Sequence, residues 1–276
     1  MLCEIADIAR SSYYKWSRRQ SSAAETVDIR MAQVIRKIHD EDPSKGYRRI
    51  KDELYRSYGI TENDKKVLRI CRILKIRSGI KYRCSGCTIN GSDPAHIAEN
   101  ILSRDFTEEH PDQKWVTDVT ESKYYIDGEK HKLYLSAILD LYDHRIVAYE
   151  LRDRNDKKLV FENFDHAVKL YPDAHPIFHS DRGFQYTSAG FHQKLMDAGM
   201  TQSMSRVGKC TDNGAMEGFW GILKRERYYG VRFTSKEELA EMITSYIDYY
   251  NNRRYQRGLG VLTPMERYEQ YYTIAA

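Results

Sequence analysis

KWVTDVTESKYYI, residues 114–126, alternates between the two faces of a strand and carries a carboxylate within one of them. Side chains two residues apart share a face, so Asp118 lies on the face of Val116, opposite to Trp115 and Thr117. A buried acid costs free energy unless it has a partner or a task. The stretch therefore predicts a strand that carries Asp118 as a candidate functional residue.

The residues after this strand continue a regular succession of elements. Two more strands follow at 131–143 and 145–153, and Asp127-Gly128 marks the first hairpin turn. Periodicity then predicts a helix, a short strand, a second helix and a last strand, at 157–171, 176–181, 188–199 and 200–205. This is the element order of a ribonuclease-H-like fold. We therefore predict an α/β domain with a mixed five-stranded sheet and flanking helices.

A second acid, Asp181, ends the apolar run within FHSDRG at residues 178–183. In a sheet of this kind the first strand and the strand after the first helix are neighbours, so Asp118 and Asp181 could approach each other. Like charges in close contact raise each other's pKa unless a cation neutralises them. A converging carboxylate pair therefore indicates a metal ion or a shared proton.

A third acid is expected near such a pair, and the stretch CTDNGAMEGFWGILKRERYYG supplies Glu217. Asp212 or Asn213 can cap a helix that carries Glu217 in its first turn. Lys224 lies seven residues later on the same face of that helix. The stretch therefore predicts a helix that holds an acid and a lysine near the strands.

The charge of the chain is divided unevenly along its length. Residues 1–90 hold 20 Lys and Arg against 11 Asp and Glu, whereas residues 91–276 hold 24 against 29. The net charge is thus +9 in the first part and −5 in the second, which gives the total of +4. A basic first part is typical of a protein that binds a polyanion. A well-solvated helical surface explains the same charge equally well.

The basic part has the pattern of a small helical domain. Apolar spacing predicts helices within 26–41, 46–59 and 61–76, the last capped by Thr61. Three short helices with tight turns suit an all-α helix-turn-helix module. The basic residues of the third helix that could meet phosphates are Lys65, Lys66, Arg69 and Arg72, together with Lys75.

Composition indicates where one domain ends and the next begins. We predict a basic helix-turn-helix region over 1–84, a linker over 85–107 rich in Gly, Ser, Pro and Asn, and the α/β core with a C-terminal helical extension over 108–276. Cys84 and Cys87 have the spacing of a zinc knuckle, and His96 follows. No second ligand pair stands at that spacing, so we predict no zinc site.

No apolar run reaches the length of a membrane span, and the N-terminus is acidic where a signal peptide would be basic. The five cysteines are few and scattered, which favours free thiols in a reducing compartment. We therefore expect a cytoplasmic protein.

Several motifs together resemble one family. WVTDVT, HSDRGFQYTS, MSRVGKCTDNGAMEGFWGILKRE and YIDYYNNRRYQRGLGVLTP closely resemble OrfB-type transposases of the IS-three insertion-sequence family, whose catalytic part is a DDE integrase core related to retroviral integrase. The 35 residues between Asp181 and Glu217 match that family's spacing. The resemblance covers nearly the whole chain, including a helix-turn-helix over 42–97.

The resemblance implies roles for individual residues. Asp118, Asp181 and Glu217 would be the catalytic triad and would bind Mg²⁺ or Mn²⁺, as two ions. Lys224 would contact the DNA end, beside Arg225. His179, Gln185 and Asn213 would position DNA or support the metal ligands. Apolar spacing also predicts a helix over 235–250. Its end is followed by Arg253, Arg254 and Arg257, which could meet phosphate, although complementing the helix dipole explains them as well.

The function implied is metal-dependent strand cleavage at the ends of an insertion sequence, followed by strand transfer through the freed 3′-hydroxyl. Two alternatives remain, a metal-dependent nuclease of the same fold and a DNA-binding regulator without catalysis. The expected partners are DNA, as terminal inverted repeats and target, and further copies of the chain on DNA. A fusion with an upstream OrfA-type product is a further expectation.

Overall fold

The computed structural model of the protein describes Cys3 and residues 7–18, 23–80, 97–206 and 210–275. The chain divides into two compact units, Met1–Gly79 and Ile80–Ala276. Within the part of the chain that is described, no helix has both the length and the apolar character needed to cross a membrane.

The first unit is helical. Its helices are α1 (Arg10–Ser17), α2 (Ala23–Glu41), α3 (Tyr47–Tyr58) and α4 (Asp64–Ile73). The core of this unit forms where α2, α3 and α4 bring their apolar faces together, with Ile35, Ile50, Leu54 and Val67 fully buried. The three helices predicted for this region are confirmed.

The start of α4 differs from the expected one. The capping residue is Asn63, whose Oδ1 accepts a hydrogen bond from the backbone N–H of Lys66 at 2.8 Å. Thr61 was the predicted cap, and it lies two residues too early. An Asn side chain caps at least as well as Thr, so the choice between them depends on where the turn after α3 ends.

The second unit contains a five-stranded sheet. Its strands are β1 (Lys114–Ile126), β2 (Glu129–Asp140), β3 (Ile146–Arg152), β4 (Ile177–Ser180) and β5 (Thr201–Met204), in the spatial order β3-β2-β1-β4-β5. β1, β2 and β3 are antiparallel, whereas β4 runs parallel to β1 and β5 parallel to β4. Asp127 and Gly128 both have positive φ in the turn between β1 and β2, as a two-residue hairpin requires. The predicted fold class is confirmed.

Helices cover both faces of the sheet. They are α5 (Lys157–Leu170), α6 (Ala189–Asp197), α7 (Gly214–Leu223), α8 (Lys236–Asn252) and α9 (Pro264–Ala275). Neighbouring residues of β1 point into different cores, since Trp115 packs with residues of α5 and α6, and Val116 with residues of α7 and α8. Asp118 therefore shares the face of Val116 with α7 and α8.

The segment before β1 differs from the linker that composition predicts. Leu102 is buried, and the backbone N–H groups of Ile101 and Leu102 donate to Ser203 Oγ at 3.0 and 3.2 Å. Residues 97–105 thus pack on the end of β5, because Leu102 gains an apolar contact that composition alone does not reveal. Cys84, Cys87 and His96 lie outside the described residues.

Candidate active site

Asp118 and Asp181 occupy matching positions on adjacent parallel strands. The pairing of β1 with β4 sets Val116 beside His179, and each acid follows two residues later. Adjacent strands lie about 4.8 Å apart, so continuing this register brings the two carboxylates side by side near the carboxyl end of β4. Burial, followed by the negative charge of Asp181, raises the pKa of Asp118 to about 7.

Asp118 also has a partner on α7. The indole Nε1–H of Trp220 donates to Asp118 Oδ2 at 3.0 Å. Trp220 lies three residues after Glu217 on the same helix, so this hydrogen bond sets the position of α7 relative to β1. The negative charge of Glu217 adds to the rise in the pKa of Asp118.

Asp181 is held by the turn that follows β4. Its Oδ1 accepts a hydrogen bond from the backbone N–H of Gly183 at 2.8 Å, and burial raises the pKa of this carboxyl group. A Cβ atom at position 183 would lie 2.9 Å from Asp181 Oδ1 and 2.9 Å from Gln185 Oε1. Only glycine therefore fits this close approach.

Glu217 lies in the first turn of α7 and is exposed. Within the described residues, no group of three or more His, Cys, Asp or Glu side chains is already arranged to hold a metal ion. Asp118 and Asp181 come from neighbouring strands, whereas Glu217 comes from the helix that contacts Asp118 through Trp220. The three acids are therefore not yet gathered around one point.

Lys224 lies at the end of α7, where a π-helical turn, Lys224–Tyr228, begins. Its Nζ donates to Thr120 Oγ1 at 2.6 Å, and burial lowers the pKa of the ammonium group. Thr120 stands two residues after Asp118 on the same face of β1. The lysine is therefore brought to the acid site by the strand as well as by the helix.

Three residues that the resemblance assigned to DNA contact or to support of the metal ligands are buried. His179 lies between the hydroxyl groups of Ser203 and Ser205, at 2.9 and 3.0 Å. Gln185 is also buried and donates to Asn155. Neither residue can reach DNA in this conformation, so the DNA-contact assignment is corrected to a role inside the core.

Asn213 is the third buried residue of this group. Its Nδ2 donates to the carbonyl of Thr117 at 2.9 Å, which fixes the start of α7 to the residue before Asp118. Asn213 is the N-cap residue of α7, one of the two predicted alternatives, but its side chain makes no capping hydrogen bond. Its Oδ1 is buried without a hydrogen-bond partner.

The C-terminal arginines separate into different environments. Arg254 is only 12% exposed, and its Nη2 lies 2.9 Å from Oε1 of the buried Glu226. The expected DNA contact by Arg254 is therefore replaced by an internal ion pair. Arg253 is exposed and pairs with Asp248, and Arg257 is exposed.

The predicted basic residues of α4 remain at the surface to different extents. Lys65 and Arg72 are exposed. Lys66 and Arg69 both pair with Asp28, at 3.2 and 2.7 Å, so part of their charge is already balanced. Arg225, in the π-helical turn of the second unit, is half-buried.

Sequence reasoning missed residues that hold the site together. Trp220 and Gly183 contact two of the acids, and Asp212 was considered only as a cap. Asp212 is instead a fully buried carboxylate that accepts hydrogen bonds from Arg104 and Arg206. The motif around Glu217 contains Asp212 and Trp220, but only the folded chain shows which atoms they contact.

Three family models match parts of the chain. The family described as Integrase core domain matches residues 108–210, and a second family of the same description matches residues 198–264. The family described as HTH-like domain matches residues 27–83. The matches thus cover the acid site and the helical unit.

Curated relatives are similar over almost the whole chain. The InsK protein of insertion sequence element IS150 from Escherichia coli (strain K12) is 37% identical over 276 residues, covering 98% of this chain and 93% of InsK. Transposase InsF of insertion sequence IS3A from the same organism is 30% identical, covering 97% and 92%. The 31 kDa protein of insertion element IS600 from Shigella sonnei is 32% identical, covering 100% of both.

Among solved structures, the integrase catalytic core domain of HTLV-2 in complex with magnesium is similar with a TM-score of 0.44 and 17% identity. It covers 58% of this chain and 98% of that one.

Proposed function

This chain belongs to the family of insertion-sequence transposases that carry an integrase core domain, and from that membership we propose that it cuts DNA at the ends of its element and transfers the freed 3′-hydroxyl to target DNA. The observation that carries the proposal is the matched register of Asp118 and Asp181, with Glu217 on the helix that contacts Asp118 through Trp220.

The residues of this site fit a divalent metal ion. Three carboxylates supply hard oxygen donors, and burial of Asp118 beside Asp181 makes their joint ionisation unfavourable without a cation. Asn213, whose Nδ2 is bound to the carbonyl of the residue before Asp118, has a buried Oδ1 without a hydrogen-bond partner. This oxygen adds a neutral acceptor to the three carboxylates. We propose that Asp118, Asp181 and Glu217 hold Mg²⁺ or Mn²⁺, as two ions. The bound ions would neutralise charge that develops on phosphate oxygens.

The protein's own groups prepare this site. Trp220 orients Asp118, and the N–H of Gly183 orients Asp181, so both carboxylates are held before DNA arrives. Lys224 stands beside them on Thr120 and can exchange that hydroxyl for a phosphate oxygen of the DNA end. No nucleophilic side chain is needed, because water and then a DNA hydroxyl attack in turn.

The helical unit supplies a second place for DNA. Lys65, Arg69 and Arg72 are exposed on α4, and the family described as HTH-like domain covers this helix. We propose that this unit binds the terminal inverted repeats through phosphate contacts of these residues. Arg253 and Arg257 are proposed as further phosphate contacts. The reaction would take place in the bacterial cytoplasm, where the chromosomal target is.

Two ends must be joined in one event, so we propose that copies of the chain assemble on DNA. A fusion with an upstream OrfA-type product would add to end recognition. Light scattering of the chain alone and with duplexes of the element's border tests the assembly, and a mass unchanged at one chain per duplex would contradict it.

The decisive experiment is an end-cleavage and strand-transfer assay with labelled DNA from the border of the gene's own element, in Mg²⁺ or Mn²⁺. The variants are Glu217→Gln and, as a matched control, Glu241→Gln on the exposed side of α8. Joined products that vanish only in Glu217→Gln are expected. Cutting without joining would support the nuclease, and binding without either reaction, also with the upstream frame fused, would support the regulator.

A further inference from the structure

A group of arginines lies next to the acid site and is bound to one buried carboxylate. Asp212 is fully buried and accepts five hydrogen bonds. Arg104 Nε lies 2.7 Å from its Oδ1, Arg206 Nη2 2.8 Å from the same oxygen, and Arg206 Nε 2.9 Å from Oδ2. The backbone N–H of Arg206 and the side chain of Asn100 complete the set, at 3.1 Å each.

This arrangement holds more positive charge than the buried acid requires. One arginine would balance Asp212, but two are supplied, which leaves one net positive charge in the group. The arginine side chains are not enclosed, since Arg104 is 45% and Arg206 52% exposed. Each guanidinium carries five N–H donors, and hydrogen bonds to Asp212 use only a minority of them. The outward donors face solvent in a fixed orientation.

The backbone at Arg104 is constrained in an unusual way. Ser103 and Arg104 both have positive φ, at 45° and 65°, although neither is glycine. Such conformations persist only where surrounding contacts impose them, and they are concentrated at functional sites. The contact that Arg104 gains from this conformation is the hydrogen bond to Asp212. If residues 97–105 served only to bury Leu102 against the sheet, an exposed arginine at position 104 would not be required.

The group adjoins two of the proposed metal ligands through the chain itself. Asp212 is followed by Asn213, which anchors the helix of Glu217 to β1. On the other side, Arg182 stands next to Asp181, and its Nε donates to the carbonyl of Ser205, the residue before Arg206, at 2.8 Å. Three arginines therefore border the side of the site where β4 and β5 end.

We infer that Arg104 and Arg206, held by Asp212 and flanked by Arg182, form a binding site for backbone phosphates of the DNA strand that enters the acid site. Guanidinium groups held in advance lose little conformational freedom when they bind, and their fork geometry matches phosphate oxygens. The inference rests on the proposed function, because it takes DNA as the ligand of this unit.

The test measures how binding depends on salt. Labelled duplexes from the element's border and of random sequence are titrated with the full chain at several NaCl concentrations. We expect Arg104→Gln and Arg206→Gln each to reduce the slope of log K against log [NaCl] by about 0.9, and the double variant by roughly twice that. Arg206→Lys should keep the wild-type slope. The matched control is Arg152→Gln. Arg152 lies on β3, at the edge of the sheet opposite to β5, and pairs with Glu162 of α5.

A structural role alone would give a different result. If the arginines only fix residues 97–105, thermal stability would fall while the salt slope stayed that of the wild type, and this outcome would overturn the inference. If the double variant does not fold, the salt slopes of the two single variants decide between the two roles. Strand transfer is measured separately in the wild type, with Glu217→Gln as the inactive control: reduced slopes with no joined product from the wild type would contradict the proposed function but not the phosphate site. Joined products from the wild type, with salt slopes unchanged in the arginine variants, would contradict the phosphate site but not the proposed function.

Discussion

Asp118 on β1 and Asp181 after β4 each lie two residues beyond a directly paired couple, Val116 and His179, in adjacent parallel strands. Parallel strands advance by the same distance per residue, so the register brings both acids side by side near the carboxyl end of β4. Burial, followed by repulsion from Asp181, raises the pKa of Asp118 to about 7.

In metal-free buffer, Asp118→Asn should stabilise the fold at pH 8. The pKa of Asp118 rises from 3.8 to about 7 on folding, so the folded chain holds its proton more tightly and loses stability as pH increases between these values. The variant removes this loss, by on the order of 2 kcal/mol after allowance for water access. Thermal unfolding at pH 5 and pH 8 with a chelator measures it. The control Asp173→Asn, at an exposed position, should gain no stability over the wild type at either pH. If the wild type and Asp118→Asn lost the same stability between pH 5 and pH 8, the explanation would be contradicted.

Added Mg²⁺ should make the wild type more stable than Asp118→Asn, the reverse of the order in metal-free buffer. Metal that binds only the folded chain stabilises it, by about 2.7 kcal/mol at a concentration 100 times the Kd. The wild type should therefore gain in melting temperature with Mg²⁺ or Mn²⁺, whereas Asp118→Asn should gain much less. The same melting temperature with and without either metal in the wild type would argue against the proposed ligands.

Gly183→Ala should abolish most strand transfer without unfolding the chain. The added methyl group would lie 2.9 Å from Asp181 Oδ1 and push that carboxylate out of place. We expect activity to fall by about 100-fold, the cost of a misplacement of roughly 1 Å in an active site. Circular dichroism would verify the fold. Wild-type activity in this variant would show that the position of Asp181 is not critical.

Gly218→Ala should stabilise α7. No atom lies within 4 Å of the position that the new Cβ would occupy, so the change removes backbone freedom without a clash. A gain of about 0.4 to 1 kcal/mol is expected. Hydrogen exchange should show that residues 213–221 are weakly protected in the free wild type and better protected in the variant. Strong protection of these residues in the wild type would contradict this prediction.

Arg254 and Arg253 should respond in opposite ways to the same substitution. Arg254→Gln removes the cation paired with the buried Glu226, which still accepts a hydrogen bond from Tyr246, and should cost about 3 kcal/mol of stability. Arg253→Gln removes an exposed pair with Asp248 and should change stability by less than about 1 kcal/mol, while it weakens DNA binding. Urea unfolding and DNA titration separate the two. If Arg254→Gln weakened DNA binding without loss of stability, its internal role would be refuted.

Much of the fold could be predicted because the signals are local. Alternation in 114–126 and helical spacing elsewhere predict most of the strands and helices, although the helices Arg10–Ser17 and Pro264–Ala275 were not predicted. Asp118 stands out because an acid within an apolar strand is costly, whatever surrounds it. The residues that support the site could not be found in this way, since Trp220 contacts Asp118 across 102 residues and Asn213 contacts Thr117 across 96.

The amino-acid sequence by itself determined the order of elements, the strand that carries Asp118 and the spacing of the three acids, because periodicity and composition act within short stretches of chain. Only the tertiary structure decided which polar groups are exposed. His179 and Arg254 look like DNA contacts in sequence, yet they are paired inside the core, whereas Arg104 and Arg206 are about half exposed while bound to the buried Asp212. The reason is physical: burial and pairing depend on residues that are distant along the chain and adjacent only after the sheet has formed.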